Sequence, residues 1–307
     1  MKILDLKLTY SCNNDCKYCC QDRSLRKLQT NFSVEKVNEI FEKENNYGEI
    51  EKVVLTGGEP TLNDNLEDIV KLISHYQIKN IQLQTNGRRL RDREYLNRLL
   101  ECGVNGFGIS LHGSSAEMHE AFTNTAGSYA DVIEALELLK EKQCRVSLNC
   151  VLTRHNVNYL NEIVRFIEEN SYASSLQFAF IHITGKAESG LKDYVSITQA
   201  ANAVRALLNE RNNKIRITTE AIPLCLMYGC EKHVAELLNN TEVITYDFHT
   251  RRSFTKELKH VFKIKFDKCK ECIFYDYCDG TWREYPKEFG DDEFIPVKTF
   301  RSNYNDV

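Results

Sequence analysis

Ile3-Leu4-Asp5-Leu6-Lys7-Leu8-Thr9-Tyr10-Ser11-Cys12-Asn13-Asn14-Asp15-Cys16-Lys17-Tyr18-Cys19 is the stretch on which the reading of this chain turns. Ile3–Thr9 is a short, largely apolar run that ends in a polar turn, which is how a strand reads. Behind it comes a loop whose cysteines, Cys12, Cys16 and Cys19, stand at C-x3-C-x2-C spacing. Three thiolates on one short loop can hold three irons of a [4Fe–4S] cube, each iron taking one terminal ligand, which leaves the fourth iron open. A structural zinc ion would need a fourth ligand, and Cys20 is badly placed to close a tetrahedron beside its neighbour Cys19.

Outward from that loop the chain alternates. Runs rich in Ile, Val, Leu or Phe at Lys52–Leu55, Asn80–Gln84, Gly106–Leu111, Arg145–Leu152 and Leu176–Ile183 read as strands. Between them lie helically spaced apolar residues, such as Val34, Val37, Ile40 and Phe41, or Val132, Ile133, Leu136 and Leu139. Ser33 and Asn65 stand where N-caps are expected. Six strand–helix units imply parallel strands joined by crossovers. The expected fold class is therefore α/β: a partial (β/α)6, TIM-like barrel over residues 1–211, with a small Cys-rich module over residues 212–307. In such barrels the sites lie at the C-terminal ends of the strands. Lys214–Thr219 is a candidate further strand, and Val243–Phe248 and Val261–Phe266 read as hairpin-like.

The 307 residues are two domains' worth of chain, or one large domain with an appendage. Forty Lys and Arg against 44 Asp and Glu give a net charge of −4, which makes nucleic acid an unlikely partner. No apolar run approaches the roughly 18 residues of a membrane span, and no signal-peptide pattern opens the chain, so a cytoplasmic protein is expected. In a reducing compartment, twelve cysteines point to metal or catalytic sites rather than disulfides.

The cysteine loop, with Tyr18 immediately before its third cysteine, resembles the signature of the radical S-adenosylmethionine (radical SAM) superfamily. Thr56-Gly57-Gly58-Glu59-Pro60, ending the next strand, resembles that superfamily's G-G-E-P element. Paired glycines admit close backbone approach, and carbonyls there, with Glu59 nearby, can accept hydrogen bonds from an ammonium group. Without the cysteine loop, the same residues would read as an ordinary strand-to-helix turn. The resemblance further implies that Asn86, after the third strand, contacts the methionine carboxylate, and that Ser110, on the fourth, contacts a ribose hydroxyl. It also implies a polar contact from Asn149 on the fifth strand, and room for the adenine edge at Gly185.

A second set, Cys269, Cys272 and Cys278, stands at C-x2-C-x5-C spacing, with Cys225 and Cys230 some forty residues upstream. It resembles the C-terminal auxiliary-cluster extensions called SPASM or twitch domains. Trp282 stands where the full extension has a further cysteine. Five cysteines cannot supply two clusters, so one auxiliary [4Fe–4S] cluster is expected, completed by Cys225, with Cys230 as the alternative. Four thiolates with CxxC spacing also describe a zinc ribbon. Cys20, Cys102, Cys144 and Cys150 receive no role, and His112, His119, His155, His182 and His249 are left unassigned.

The resemblance implies reductive cleavage of S-adenosylmethionine to a 5′-deoxyadenosyl radical, which takes hydrogen from a substrate. In the family such extensions accompany oxidations, cross-links and epimerisations, commonly of ribosomally made peptides. A peptide substrate is therefore expected, along with an electron donor such as flavodoxin or ferredoxin. Since the first strand starts at Ile3, a separate leader-peptide recognition protein, or a non-peptide substrate, is also expected. The alternatives are a radical dehydrogenase or rearrangement enzyme on a small molecule, and a non-enzymatic iron–sulfur or zinc interaction module. The segment from Trp282 to Phe294 is a candidate lining of the substrate cleft.

Overall fold

The computed structural model describes residues 2–21, 23–26, 30–44, 49–188, 194–210, 213–238, 241–257 and 261–299. The expected boundary between residues 211 and 212 falls outside them. The strands are β1 (Lys2–Thr9), β2 (Ile50–Gly57), β3 (Ile81–Thr85), β4 (Gly106–Ser110), β5 (Val146–Val151), β6 (Ser175–Ala179), β7 (Arg216–Glu220), β8 (Glu242–Tyr246) and β9 (Arg251–Ser253). They form one sheet in the order β7-β6-β5-β4-β3-β2-β1-β8-β9. Every pair is parallel except β8 with β9, which form an antiparallel hairpin. The architecture is the expected α/β partial barrel, lengthened at one edge by β7 and at the other by β8 and β9. A separate antiparallel pair, β10 (Lys263–Ile264) with β11 (Thr281–Trp282), belongs to the Cys-rich region.

Alternation along the strands sorts residues by face. Leu4, Leu6 and Leu8 of β1, Val53 and Leu55 of β2, Ile81 and Leu83 of β3, and Leu148 and Cys150 of β5 are buried in the main core. That core also takes the apolar stripes of the helices Val34–Lys43, Leu66–His75, Arg93–Cys102, Ser128–Glu141, Leu160–Asn170 and Ile197–Glu210. The intervening residues Asp5, Lys7, Thr56, Gln84, Ser110 and Asn149 line the lumen. A parallel strand covered on both faces by apolar layers would be apolar throughout; these strands have one polar face.

Three local expectations change. Ser33 caps Val34–Lys43, its hydroxyl accepting from the Lys36 N–H at 3.2 Å. Asn65 occupies its cap position without capping, because its side chain donates instead to the Phe32 carbonyl. β6 stops at Ala179, four residues short of Ile183, where its ladder with β7 ends at Glu220. The candidate cleft residues Tyr285 and Phe294 are buried core, and the Tyr285 hydroxyl accepts from the Ile197 N–H at 3.0 Å. Among the described residues no helix is long and apolar enough to cross a membrane.

The sheet edge at β8 is held by Glu44, whose side chain is 4% exposed. It accepts from Tyr246 Oη at 2.7 Å, Arg251 Nε at 2.8 Å and Lys2 Nζ at 3.4 Å. Burial raises its pKa, but the hydrogen bonds from Arg251 and Tyr246 outweigh burial and leave it below the usual glutamate value. A carboxylate depressed in the folded state stabilises the fold above its unfolded pKa, and that contribution is lost as pH falls through the folded value. Glu44→Gln is therefore expected to lower stability by about 1.5–3 kcal/mol at pH 7. In urea titrations the gap from the parent closes as the pH is brought down below the ordinary glutamate range.

Candidate functional site

The C-terminal ends of β1 to β5 open into a cavity of about 450 Å³. Cys12, Cys16 and Cys19 line it, together with Gly57, Gly58, Asn86, Ser110 and Asn149. Residues from separate strands thus converge on one cavity. Glu59 does not line the cavity. It is fully buried, and Oε1 accepts from Thr61 N–H at 3.1 Å and from the Thr61 and Thr85 hydroxyls, each at 2.6 Å, while Oε2 accepts from Asn86 N–H at 2.8 Å. Burial pushes its pKa up, against these four donors.

The two glycines have a steric cause inside the chain. A Cβ on Gly58 would lie 2.3 Å from the Ser11 carbonyl oxygen and 2.6 Å from that of Tyr10. Gly57, at φ +131°, would place one 2.3 Å from the Thr9 oxygen. Their absence lets Gly58 N–H donate to Thr9 O and Glu59 N–H to Ser11 O, both at 2.7 Å. The base of the cysteine loop is thereby fastened to the end of β2.

Other groups hold the loop from its far side. Asn86 Nδ2 donates to Asn13 Oδ1 at 2.7 Å, and Arg88 donates to the Asn13 carbonyl at 2.5 Å and to Asp131 at 2.7 Å. Lys186 Nζ bonds the carboxylate and the carbonyl of Asp15, each at 2.8 Å, and Lys186 N–H donates to the Cys19 carbonyl. Tyr18 is buried against Phe122 and Tyr194. A Cβ on Gly185 would meet the Cys20 and Gln21 carbonyls at 2.7 and 2.8 Å, so this glycine packs on the cysteine loop.

The lumen supplies mixed hydrogen-bonding chemistry. Asn149 Oδ1 is buried with no partner among the described residues, an acceptor left for a bound group. His112, to which the sequence alone gives no role, has its ring on the cavity wall, stacked 3.7 Å from Phe122. Burial, then the neighbouring His119, keeps its pKa well below the ordinary value. Its Nδ1 accepts from Val151 N–H at 3.2 Å, so the neutral ring carries its proton on Nε2. Asp5, Lys7, Thr56 and Gln84 were also missed; their period-2 placement within the strands was the available signal.

Cys225, Cys269, Cys272 and Cys278 line a second cavity, with Phe266, Phe274 and Phe294. Cys230 is not there; it is buried beside Arg205. Burial, with the other three sulfurs, pushes the Cys225 thiol up to about 12. Four cysteines on one cavity are a soft-metal donor set by their chemistry, although among the described residues no three His, Cys, Asp or Glu side chains are drawn together as a formed metal site. Cys150 is fully buried, and burial pushes its thiol to about 12. The Cys-rich region meets the barrel through Trp282, stacked 4.0 Å from His182 and donating to the Phe180 carbonyl, while Lys263 pairs at 2.7 Å with Glu236, which accepts from the Ala221 N–H just after β7. The Phe262 ring stands 6.1 Å from His182, after β6, and 6.2 Å from Phe254, after β9.

A partial parallel barrel carrying three cysteines of one loop at its C-terminal mouth defines a class of cluster-bearing barrel enzymes. The family model described as "Radical SAM superfamily" matches residues 6–167, and the chain belongs to that family. With it come the family's cofactors, a [4Fe–4S] cluster and S-adenosylmethionine. The chain is 32% identical over 176 residues to GTP 3′,8-cyclase of Aquifex aeolicus, covering 55% of this chain and 53% of that protein. It is 24% identical over 186 residues to AdoMet-dependent heme synthase of Oleidesulfovibrio alaskensis, covering 61% and 47%. The chain thus spans about half the length of these relatives. In fold it is similar to SuiB of Streptococcus suis bound to precursor peptide SuiA, with a TM-score of 0.67 at 14% identity, covering 97% of this chain and 75% of that one. It is also similar to anSMEcpe with bound AdoMet and a peptide, with a TM-score of 0.64 at 19% identity, covering 96% and 93%.

Gly58→Ala is expected to push the cysteine loop off β2, at a cost of about 1–3 kcal/mol. Iron bound per chain after anaerobic reconstitution should fall by the share of one cluster, while whatever metal the four-cysteine cavity binds is retained. Iron analysis and thermal melting check the two effects.

Proposed function

We propose that this radical SAM enzyme cleaves S-adenosylmethionine reductively at the barrel mouth and abstracts hydrogen from a peptide held between that mouth and the Cys-rich region. The observation that carries this reading is the convergence of Cys12, Cys16 and Cys19 with Asn149 and Ser110 on one cavity. Cys12, Cys16 and Cys19 hold the cluster; when bound, it supplies one electron that breaks the C–S bond to the adenosyl group. The chain's own part is binding and orientation. Backbone carbonyls at Gly57 and Gly58 accept from the methionine ammonium, and Asn86, held in place by Glu59, turns its amide to the carboxylate. Ser110 and Asn149 fix the adenosyl group.

Cys225, Cys269, Cys272 and Cys278 hold a single auxiliary [4Fe–4S] cluster in a twitch-like module of residues 212–307. The peptide reading is supported by the fold likeness, which extends over 97% of the chain to a protein bound to its precursor peptide. A specific observation favours a second reading: several curated relatives are GTP 3′,8-cyclases, so a small-molecule substrate stands beside the peptide. A flavodoxin or ferredoxin supplies the electron, in the cytoplasm, and a separate recognition protein presents a leader peptide if the substrate has one.

Anaerobically reconstituted, reduced protein is expected to convert S-adenosylmethionine to 5′-deoxyadenosine, and Cys12→Ala to bring this to background. Cys269→Ala should lose about half the iron, four of the eight atoms that two cubes hold, yet still cleave S-adenosylmethionine. Loss of zinc instead of iron from that variant would make the second site a zinc ribbon. Incubation with GTP, and separately with short peptides encoded beside the gene, followed by mass spectrometry, decides between the substrates.

A further inference from the structure

Glu220 is a carboxyl that neither the cysteine loop nor the contacts assigned to S-adenosylmethionine employ. It ends β7, in register with Ala179 of β6, which is itself in register with Val151 of β5. Side chains in register on neighbouring parallel strands face the same way, and Val151 lines the lumen. Ile217 and Thr219, at the alternate positions of β7, are buried on the opposite face. Glu220 therefore faces inward, with the methyl group of Ala179 between it and Val151. Its charge acts on Cys20 of the cavity wall, which places it beside the end of the cysteine loop.

This carboxyl has no answering group. Among the described residues its side chain accepts no hydrogen bond and joins no ion pair. Two charges face it from neighbouring elements, Glu236 of the helix Ala235–Leu238 and Lys263 of β10. They are engaged with each other at 2.7 Å, and Lys263 also stands 5.2 Å from the Trp282 ring centroid. Glu236 Oε2 is buried without a partner among the described residues. His182, stacked on Trp282, has its pKa lowered by burial and lies 3.3 Å from Glu284, so it brings an anion rather than a cation. Lys7, on the cavity wall, acts on Asp5 and Cys20 and is not among the charges that shift Glu220. Two carboxylates thus share one ammonium, and with Glu220 ionised the place is one positive charge short. Burial, followed by Glu236, pushes the Glu220 carboxyl up to about 7 against the pull of Lys263.

We propose that Glu220 is a specificity-determining anchor that receives a cationic group of the substrate, the ammonium of a lysine or the guanidinium of an arginine in the peptide. The inference rests on the reading of the lumen as the place where hydrogen is taken from a peptide. An entering cation supplies the missing charge, and a charge-assisted hydrogen bond is stronger in an enclosed lumen than in water. Held by its charged end near the cysteine loop, a long side chain has the carbons of its stem oriented for reaction. The triphosphate of a nucleotide would meet like charge at the same place.

The test is isothermal titration of the reconstituted, oxidised full chain with S-adenosylmethionine present, so that binding is read without turnover. The probes are capped glycine pentapeptides that differ only at the centre, which carries lysine, norleucine or glutamate. At about pH 8 the parent is expected to bind the lysine peptide about tenfold more tightly than the norleucine peptide, and to lose most of that advantage by about pH 6, where Glu220 is protonated and lysine still charged. The glutamate peptide should bind no better than the norleucine one. Glu220→Gln is expected to bind lysine and norleucine peptides equally at both pH values, and Glu220→Asp to keep part of the preference. Because it removes a buried carboxylate, the Gln variant should melt no lower than the parent. Equal binding of lysine and norleucine peptides by the parent would overturn the anchor and leave the peptide reading standing. So would a preference that survives in Glu220→Gln. Binding of none of the three peptides would overturn the peptide reading and the anchor together.

Discussion

Two backbone hydrogen bonds, from Gly58 N–H to Thr9 and from Glu59 N–H to Ser11, hold the site together. They form only because neither Gly57 nor Gly58 has a Cβ, since one on Gly58 would overlap the Ser11 oxygen. From that junction the connections run outward. Glu59 binds Thr61, Thr85 and Asn86, and Asn86 binds Asn13 inside the cysteine loop. Three strand ends and the loop are thus one hydrogen-bonded body. Its buried carboxylate is costly unless every donor is present, and all four are. A charge that would be a liability elsewhere becomes the part that keeps the sulfurs of the loop in register with the lumen.

The lumen carries a related tension. Asp5, Lys7, Gln84 and Asn149 stand at positions that a fully packed barrel fills with Val, Ile or Leu. The outer face compensates, with Leu4, Leu6, Leu8, Leu55, Leu83 and Leu148 packed against the helices at almost no exposure. Stability therefore resides on the outer layer and binding capacity on the inner one. Asn149 shows the division within one strand, its side-chain Oδ1 without a partner among the described residues while Leu148 and Cys150 on either side are buried in the core.

Much of this was legible in the residues. β-branched and Leu-rich runs located seven parallel strands to within a few residues, because burial on the outer face demands them. The cysteine spacings and the Gly-Gly pair were equally plain. What stayed hidden depends on partners distant in the chain. The position of β8 beside β1 joins residues some 240 apart, and no local pattern specifies it. Glu59 as an internal strut depends on Thr85 and Asn86, more than 25 residues on. The choice between Cys225 and Cys230 stayed open because spacing allows either; only packing separates one beside Cys278 from one beside Arg205. Asn65 occupies a cap position, but the neighbouring Phe32 carbonyl competes for its amide.

The sheet ends at β7 on one side and β9 on the other. Phe262 leans on His182 and on Phe254, and Trp282 lies flat on His182. Elsewhere around the barrel, separating two neighbours means breaking a ladder of amide bonds; here it means parting stacked rings and a few single contacts, Trp282 to Phe180, His182 to Glu284 and the Thr219–Val234 bridge.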